Sequence, residues 1–237
     1  MMLRKGLAVV ALVVLMAPQS QADYRDHPKA RSFVDEMVAE HGFERDQLLE
    51  WLSRAERKDG IIESISRPAE KVLTWKEYRP IFLTEARTRQ GREFMAEYSQ
   101  ALSRAREQYG VDPAIIAAVI GVETAYGRKR GDHRVIDALA TLAFDYPPRS
   151  RFFRSELKHF LLLSREQGFD PLALKGSYAG AMGYGQFIAS SYRHYGVDFD
   201  EDGVAEILDN PVDAIGSVAN YLSEHRWQRG GPVADRV

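Results

Sequence analysis

Glu123 closes an almost wholly apolar run, Val119-Ile120-Gly121-Val122-Glu123, and Thr124-Ala125-Tyr126-Gly127 follows at once. An unpaired carboxylate in apolar surroundings is disfavoured in its charged form and holds its proton to higher pH. A lone glutamate at the tip of an apolar helix therefore suits a general acid; a solvated helix-end glutamate is the plain alternative. The spacing predicts a helix from Ala114 to about Glu123, with Asp112 as N-cap and Pro113 in the first turn. Its lack of a polar face predicts a helix buried all round. The negative end of the helix dipole would then act on Glu123 in the same direction as desolvation.

Two further stretches could do chemistry. Residues 176–196 combine glycines at 176, 180, 183 and 185 with Tyr178, Tyr184, Phe187, Tyr192 and Tyr195. Close backbone approach and flat faces bearing hydroxyls suit a sugar polymer, and a tightly packed helix junction is the alternative. In the second stretch, Asp198, Asp200 and Asp202 are spaced by two, and Gly203 is next. From Asp198 to Asp209 there are six carboxylates and no basic residue. This matches the first, third and fifth ligands and the glycine of an EF-hand calcium loop, with Val204 offering its carbonyl. A structural Ca2+ ion would relieve the crowding, whereas a solvated acidic turn would leave it. The twelfth position is Asp209 in place of Glu, and Asp213 lies four residues on, so either could close the loop. The histidines at 27, 41, 133, 159, 194 and 225 lack zinc-ligand spacing, and neither a phosphate-binding glycine motif nor a serine-nucleophile motif occurs. No organic cofactor is expected.

The elements that must position these residues read as all-α. Apolar residues recur at helical spacing between Asp23 and Arg57, and again along Glu85–Tyr109, where Phe94, Tyr98, Leu102 and Ala105 share a stripe. Helical patterns resume at Val135–Phe144 and Phe152–Gln167. Residues 58–84, punctuated by Arg67-Pro68 and Arg79-Pro80, read as a loop-rich connection carrying Trp75, Tyr78 and Phe82. No alternating strand of useful length is found. With 237 residues, 45% of them hydrophobic, the chain can bury one sizeable core or two small ones. A net charge of -2 and no local basic patch exclude an obvious nucleic-acid partner. Arg4 and Lys5, the apolar run Gly6–Ala17, and Ser20-Gln21-Ala22 read as a cleaved export signal over residues 1–22. The chain has no cysteine, hence no disulfide and no lipid-attachment site. The expected product is a periplasmic protein, not a lipoprotein and without a membrane anchor.

Five motifs occur in order: Pro-Ala-Glu-Lys-x-Leu-x-Trp-x-x-Tyr at 68–78, Gly-Val-Glu-Thr-x-x-Gly at 121–127, Asp-Ala-Leu-Ala-Thr-Leu at 137–142, Lys-Gly-Ser-Tyr-Ala-Gly-Ala-Met-Gly-Tyr-Gly-Gln-Phe at 175–187, and Pro-Val-Asp-Ala-Ile-Gly-Ser-Val-Ala-Asn-Tyr at 211–221. On these the chain resembles the membrane-bound lytic murein transglycosylase B family. The resemblance implies a lysozyme-like helical fold related to goose-type lysozyme, acting on peptidoglycan glycan strands. It implies cleavage between N-acetylmuramic acid (MurNAc) and N-acetylglucosamine (GlcNAc) to a 1,6-anhydro product, with Glu123 as acid and then base. A hydrolytic muramidase and a non-catalytic peptidoglycan-binding protein are the alternatives. By the same resemblance Ser177 orients Glu123 or the muramoyl acetamide, Gln186 contacts the sugar at the cleavage point, Tyr78 and Tyr221 line the substrate cleft, Arg149 lies near the peptide stem, and Asp213 is favoured over Asp209 in the calcium loop. The implied division is a signal at 1–22, a helical and loop-rich segment at 23–84, and a catalytic domain at 85–237. The family's Tyr-Asn-x-Ser-x-x-Tyr element, expected C-terminal to this domain, does not occur in the sequence.

Overall fold

A computed structural model describes residues 24–67 and 73–233. The expected export signal and residues 68–72 of the first motif lie outside the described residues.

The chain enters through α1 (Pro28–His41) and α2 (Arg45–Ser53), separated at Gly42, which takes φ 62 and so ends the first helix in a left-handed turn. Residues 58–84 are more regular than their prolines imply, for they hold α3 (Asp59–Ser66) and α4 (Trp75–Phe82). Thr74 and Glu77 form a capping box at the start of α4, and Pro80 falls near its end, where little of the backbone ladder remains to be broken. The loop-rich expectation is corrected accordingly.

The single helix expected over Glu85–Tyr109 is two, α5 (Glu85–Glu97) and α6 (Ser99–Tyr109), joined at Tyr98 with φ -102 and ψ 26. The bend packs Phe94 against Tyr98 at 4.8 Å and against Tyr126 at 5.4 Å. Helix α7 (Pro113–Thr124) starts as expected, with Asp112 accepting the Ala114 N–H at 2.8 Å. It is not buried all round. Ile116, Ala117, Ile120, Gly121 and Thr124 are covered by α5, α6 and later by α11 (Pro211–Glu224), while Val122 is 46% exposed. An apolar surface on every side permits burial of any face; the neighbours decide which one.

The helix buried on all sides is α8 (Val135–Asp145), covered from Val135 through Phe144 and packed mainly on α9 (Ser150–Gln167). Its polar members are satisfied: Asp137 accepts the Glu56 N–H and the Arg134 guanidinium, each at 2.9 Å, and Thr141 accepts the Lys58 N–H at 3.0 Å. One contiguous core runs from Tyr24 to Ala219. The sheet content among the described residues is β1 (His133–Arg134) paired antiparallel with β2 (Lys175–Gly176). The fold is all-α apart from this two-residue ladder. It completes with α10 (Ala189–Tyr195) and α11. Among the described residues no helix is long and apolar enough to cross a membrane.

Candidate functional site

The end of α7 is built by the residues of its own motif. Ala125 and Tyr126 take φ 50 and 61, a left-handed conformation that costs about 1–2 kcal/mol for each L-residue. This turn swings the Tyr126 ring back between α7 and α5. A methyl at Gly121 would stand 2.5 Å from the Tyr126 hydroxyl, and a methyl at Gly91 would also collide with it. Thr124, 1% exposed, accepts the Gly127 N–H at 2.9 Å and lies 2.9 Å from the Tyr184 carbonyl as its donor. Gly127, at φ 82, leaves room for the Tyr184 ring.

The helix tip is thereby fastened to a small hairpin. Met182 and Phe187 bond reciprocally at 2.9 and 3.0 Å and pinch off Gly183–Gln186, with Gly183 at φ 71 and Gln186 at φ 50. The Gln186 amide nitrogen donates to the Arg130 and Gly183 carbonyls at 3.2 and 3.1 Å. Its amide oxygen has no partner among the described residues and is the atom it can offer to a ligand.

Between these parts lies a cleft of about 340 Å³, lined by Val119 and Glu123 of α7, Gln186 and Phe187 of the hairpin, and Val218, Tyr221 and Leu222 of α11. Glu123 is the only carboxylate among its lining residues. Glu123 is exposed to the cleft, and the apolar walls beside it withdraw water from its carboxyl. That desolvation raises its pKa above the usual 4.5. No hydrogen bond or ion pair to Glu123 is formed among the described residues.

Glu123, Gln186 and Tyr221 thus meet in one place. The other expected contacts do not line this cleft. Tyr78 packs with Trp75 and Phe82 on α4 at 6.5 and 5.0 Å. The Ser177 hydroxyl accepts the Ala179 and Ala181 N–H groups at 3.3 and 3.0 Å, bracing the turn after β2. The Arg149 guanidinium lies over Phe152 at 4.3 Å. Sequence reasoning passed over Thr124, whose only signal was its place directly after the acid. It also passed over Val119, Val218 and Leu222, ordinary apolar residues until the helices are assembled.

In the acidic loop, Asp198, Asp200 and Asp202 bring one oxygen each to within 4.8 Å of one another. The Asp202 and Gly203 N–H groups bond to Asp198 at 3.0 and 2.8 Å, and the Val204 N–H to Asp202 at 2.9 Å, which shapes the loop. Asp209 is ion-paired with Arg130. Asp213 is fully buried beneath the loop and accepts the Phe199, Asp200 and Glu206 N–H groups at 2.7, 3.2 and 2.8 Å. Burial raises its pKa even though those donors pull it down.

The fold and the single-acid cleft together define a lysozyme-like helical class. The chain belongs to the transglycosylase SLT domain family, whose model matches residues 25–237. It is 48% identical over 225 residues to membrane-bound lytic murein transglycosylase B of Escherichia coli strain K12, covering 91% of this chain and 62% of that protein. The chain therefore spans less than two thirds of that curated relative's length. Among solved structures it is similar to soluble lytic transglycosylase SltB1 of Pseudomonas aeruginosa (54% identity, TM-score 0.83, 87% of this chain and 69% of that one). It is also similar to Escherichia coli lytic transglycosylase Slt35 in complex with calcium (48% identity, TM-score 0.84, 90% of this chain and 68% of that one).

Proposed function

We propose that this chain is a lytic transglycosylase of peptidoglycan, with Glu123 as its one acid and base. The observation that carries the reading is an unpaired carboxylate with a raised pKa, alone of its kind in a cleft walled by Gln186, Phe187 and Tyr221. Glycosidases in general use two carboxyl groups; with one, the substrate must supply the rest. Protonated Glu123 gives its proton to the bridging oxygen as the bond between that oxygen and C1 of MurNAc breaks. The positive charge left at C1 is stabilised by the sugar's own acetamido oxygen. Ionised Glu123 then takes the proton of the C6 hydroxyl while O6 bonds to C1. The products are a 1,6-anhydro-MurNAc end and a GlcNAc end, Glu123 is protonated again, and no water is consumed. A raised pKa suits both halves of this cycle, since the group must be protonated at rest and still a competent base.

Purified sacculi incubated with the protein and with Glu123→Gln test the reading. Anhydro ends released only with the intact acid support it. Reducing ends would make the protein a hydrolase, and binding without Glu123-dependent release would make it a binding protein.

A structural calcium ion belongs to the same proposal. Asp198, Asp200, Asp202 and the Val204 carbonyl offer the hard oxygen donors that calcium prefers, and the three clustered carboxylate oxygens fit a cation. Asp213 anchors the loop from α11 and Asp209 stays with Arg130. The ion's charge would relieve the repulsion among the carboxylates and brace the loop preceding α11, which carries Tyr221. Titration calorimetry with calcium on metal-free protein should give saturable heat; none at millimolar calcium would sink the site. Residues 1–22 are proposed as the export signal, placing the enzyme in the periplasm, where its substrate is.

A further inference from the structure

Five rings form one ladder that begins in the cleft and runs out of it. Phe187 meets Tyr221 edge-on at 5.7 Å, and both line the cleft. Tyr221 stacks on His225 at 4.0 Å with the planes 24° apart. Tyr195, at the end of α10, meets Tyr221 at 5.0 Å and His225 at 5.2 Å, and His194 stands against Tyr195 at 4.5 Å. Burial falls along the series. Phe187 is 6% exposed, Tyr221 and Tyr195 are half-buried, and His225 and His194 are exposed.

Packing of α10 on α11 accounts for the two tyrosines but not for two flat imidazoles left in solvent beyond them. The outer rung is also held in place. Tyr221 and His225 are one helical turn apart and share a face. The His225 Nδ1 lies 2.7 Å from the Tyr221 carbonyl, and a carbonyl can only accept, so Nδ1 carries hydrogen and Nε2 is the ring's open nitrogen. The Asn220 amide donates to the Tyr195 carbonyl at 3.1 Å and locks α10 to α11. A surface held in its binding geometry loses little entropy when a ligand arrives.

We infer that His225, with Tyr195 and His194 beside it, forms an outlying carbohydrate-stacking subsite that takes the glycan strand where it leaves the Glu123 cleft past Tyr221. The inference rests on the reading of that cleft as a glycan site. Its chemistry is that of the ring faces: a pyranose presents a flat C–H face, which packs on the negative face of an aromatic ring. Its hydroxyl rim can donate to the open Nε2. Continuity with the cleft chooses the occupant, because Tyr221 lines the cleft and His225 stacks directly on it. The histidines showed no metal spacing in the sequence, and the ladder gives two of them another use.

The test uses the Glu123→Gln background, in which strands bind without being cut. Binding of peptide-free murein glycan is measured for a tetrasaccharide, short enough to be held within the cleft, and for long strands. His225→Ala should weaken long-strand binding about 2- to 10-fold, the worth of one aromatic contact, with the tetrasaccharide as the reference that does not move. His225→Tyr, which keeps a flat ring, should restore it. An equal loss on both ligands would mean that His225 acts only by buttressing Tyr221 and would overturn the subsite, as would no loss on long strands. If the protein with Glu123 intact releases no anhydro ends while long-strand binding still depends on His225, the transglycosylase reading fails and the subsite stands.

Discussion

Helices α7 and α8 are both apolar, and they lie close together in the chain, at Pro113–Thr124 and Val135–Asp145. One became the centre of the core and the other a wall of the cleft. The more uniformly apolar of the two, α7, is the one left half open, whereas α8 is covered at every position from Val135 to Phe144 although it carries Asp137 and Thr141. The two carboxylates divide along the same line. Asp137 is 2% exposed and fully partnered, while Glu123 is exposed and has no partner among the described residues. Depth therefore does not by itself separate Asp137 from the proposed acid, Glu123. Partners do.

The largest effect should come from Glu123→Gln, which removes the acid and should slow glycan release by about 10²- to 10⁴-fold with the fold intact. Its stability has a sign that follows from the raised pKa. The native state holds this proton more tightly than the unfolded chain, so the contribution is full below about pH 4 and is lost as pH rises through the folded pKa. Thermal unfolding of Glu123→Gln should thus occur slightly above the parent at neutral pH, with the gap closing toward pH 4. A variant less stable than the parent at both values would place Glu123 among structural carboxylates like Asp137.

Asp137→Ala tests the other side of the comparison. It removes two of the hydrogen bonds of the Arg134 guanidinium, which keeps the Arg54 carbonyl and Glu56, and takes the acceptor from the Glu56 N–H; denaturant unfolding should show a loss of about 3 kcal/mol. A loss near zero would remove α8 from the centre of the core. Thr124→Val sits between the two regimes, because it cuts the tie from α7 to Tyr184 while nearly keeping the side-chain shape. Kinetics should show a drop of about tenfold in kcat, equivalent to about 1.4 kcal/mol, with about 1 kcal/mol lost in stability. Thr124→Ser should retain both, and an unchanged kcat in Thr124→Val would leave the residue a simple cap. The smallest effect belongs to Val122→Gln on the open face of α7, expected to stay within about 0.5 kcal/mol of the parent in denaturant unfolding. A larger loss would mean that this face is covered.

Much of the site could be read before the structure, for local reasons. Asp112-Pro113 specified the start of α7, and Glu123 ends up in the cleft with Gln186 and Tyr221. What the sequence did not show of Ser177 is that its hydroxyl accepts the Ala179 and Ala181 N–H groups within its own turn, a contact set by the backbone path after β2. The prolines around α3 and α4 suggested loops because proline punctuates chains on average, whereas the Thr74 and Glu77 box holds this particular helix.

The order of residues along the chain determined by itself the helical class, the caps, the isolated acid and the acidic loop, since each depends on neighbours within a few positions. Which face of α7 stays open, whether a buried aspartate finds an arginine, and which rings line up from Phe187 to His225 were decided only in the tertiary structure. Those outcomes depend on contacts between segments far apart in sequence, and an apolar or aromatic residue carries no mark of the partner it will meet.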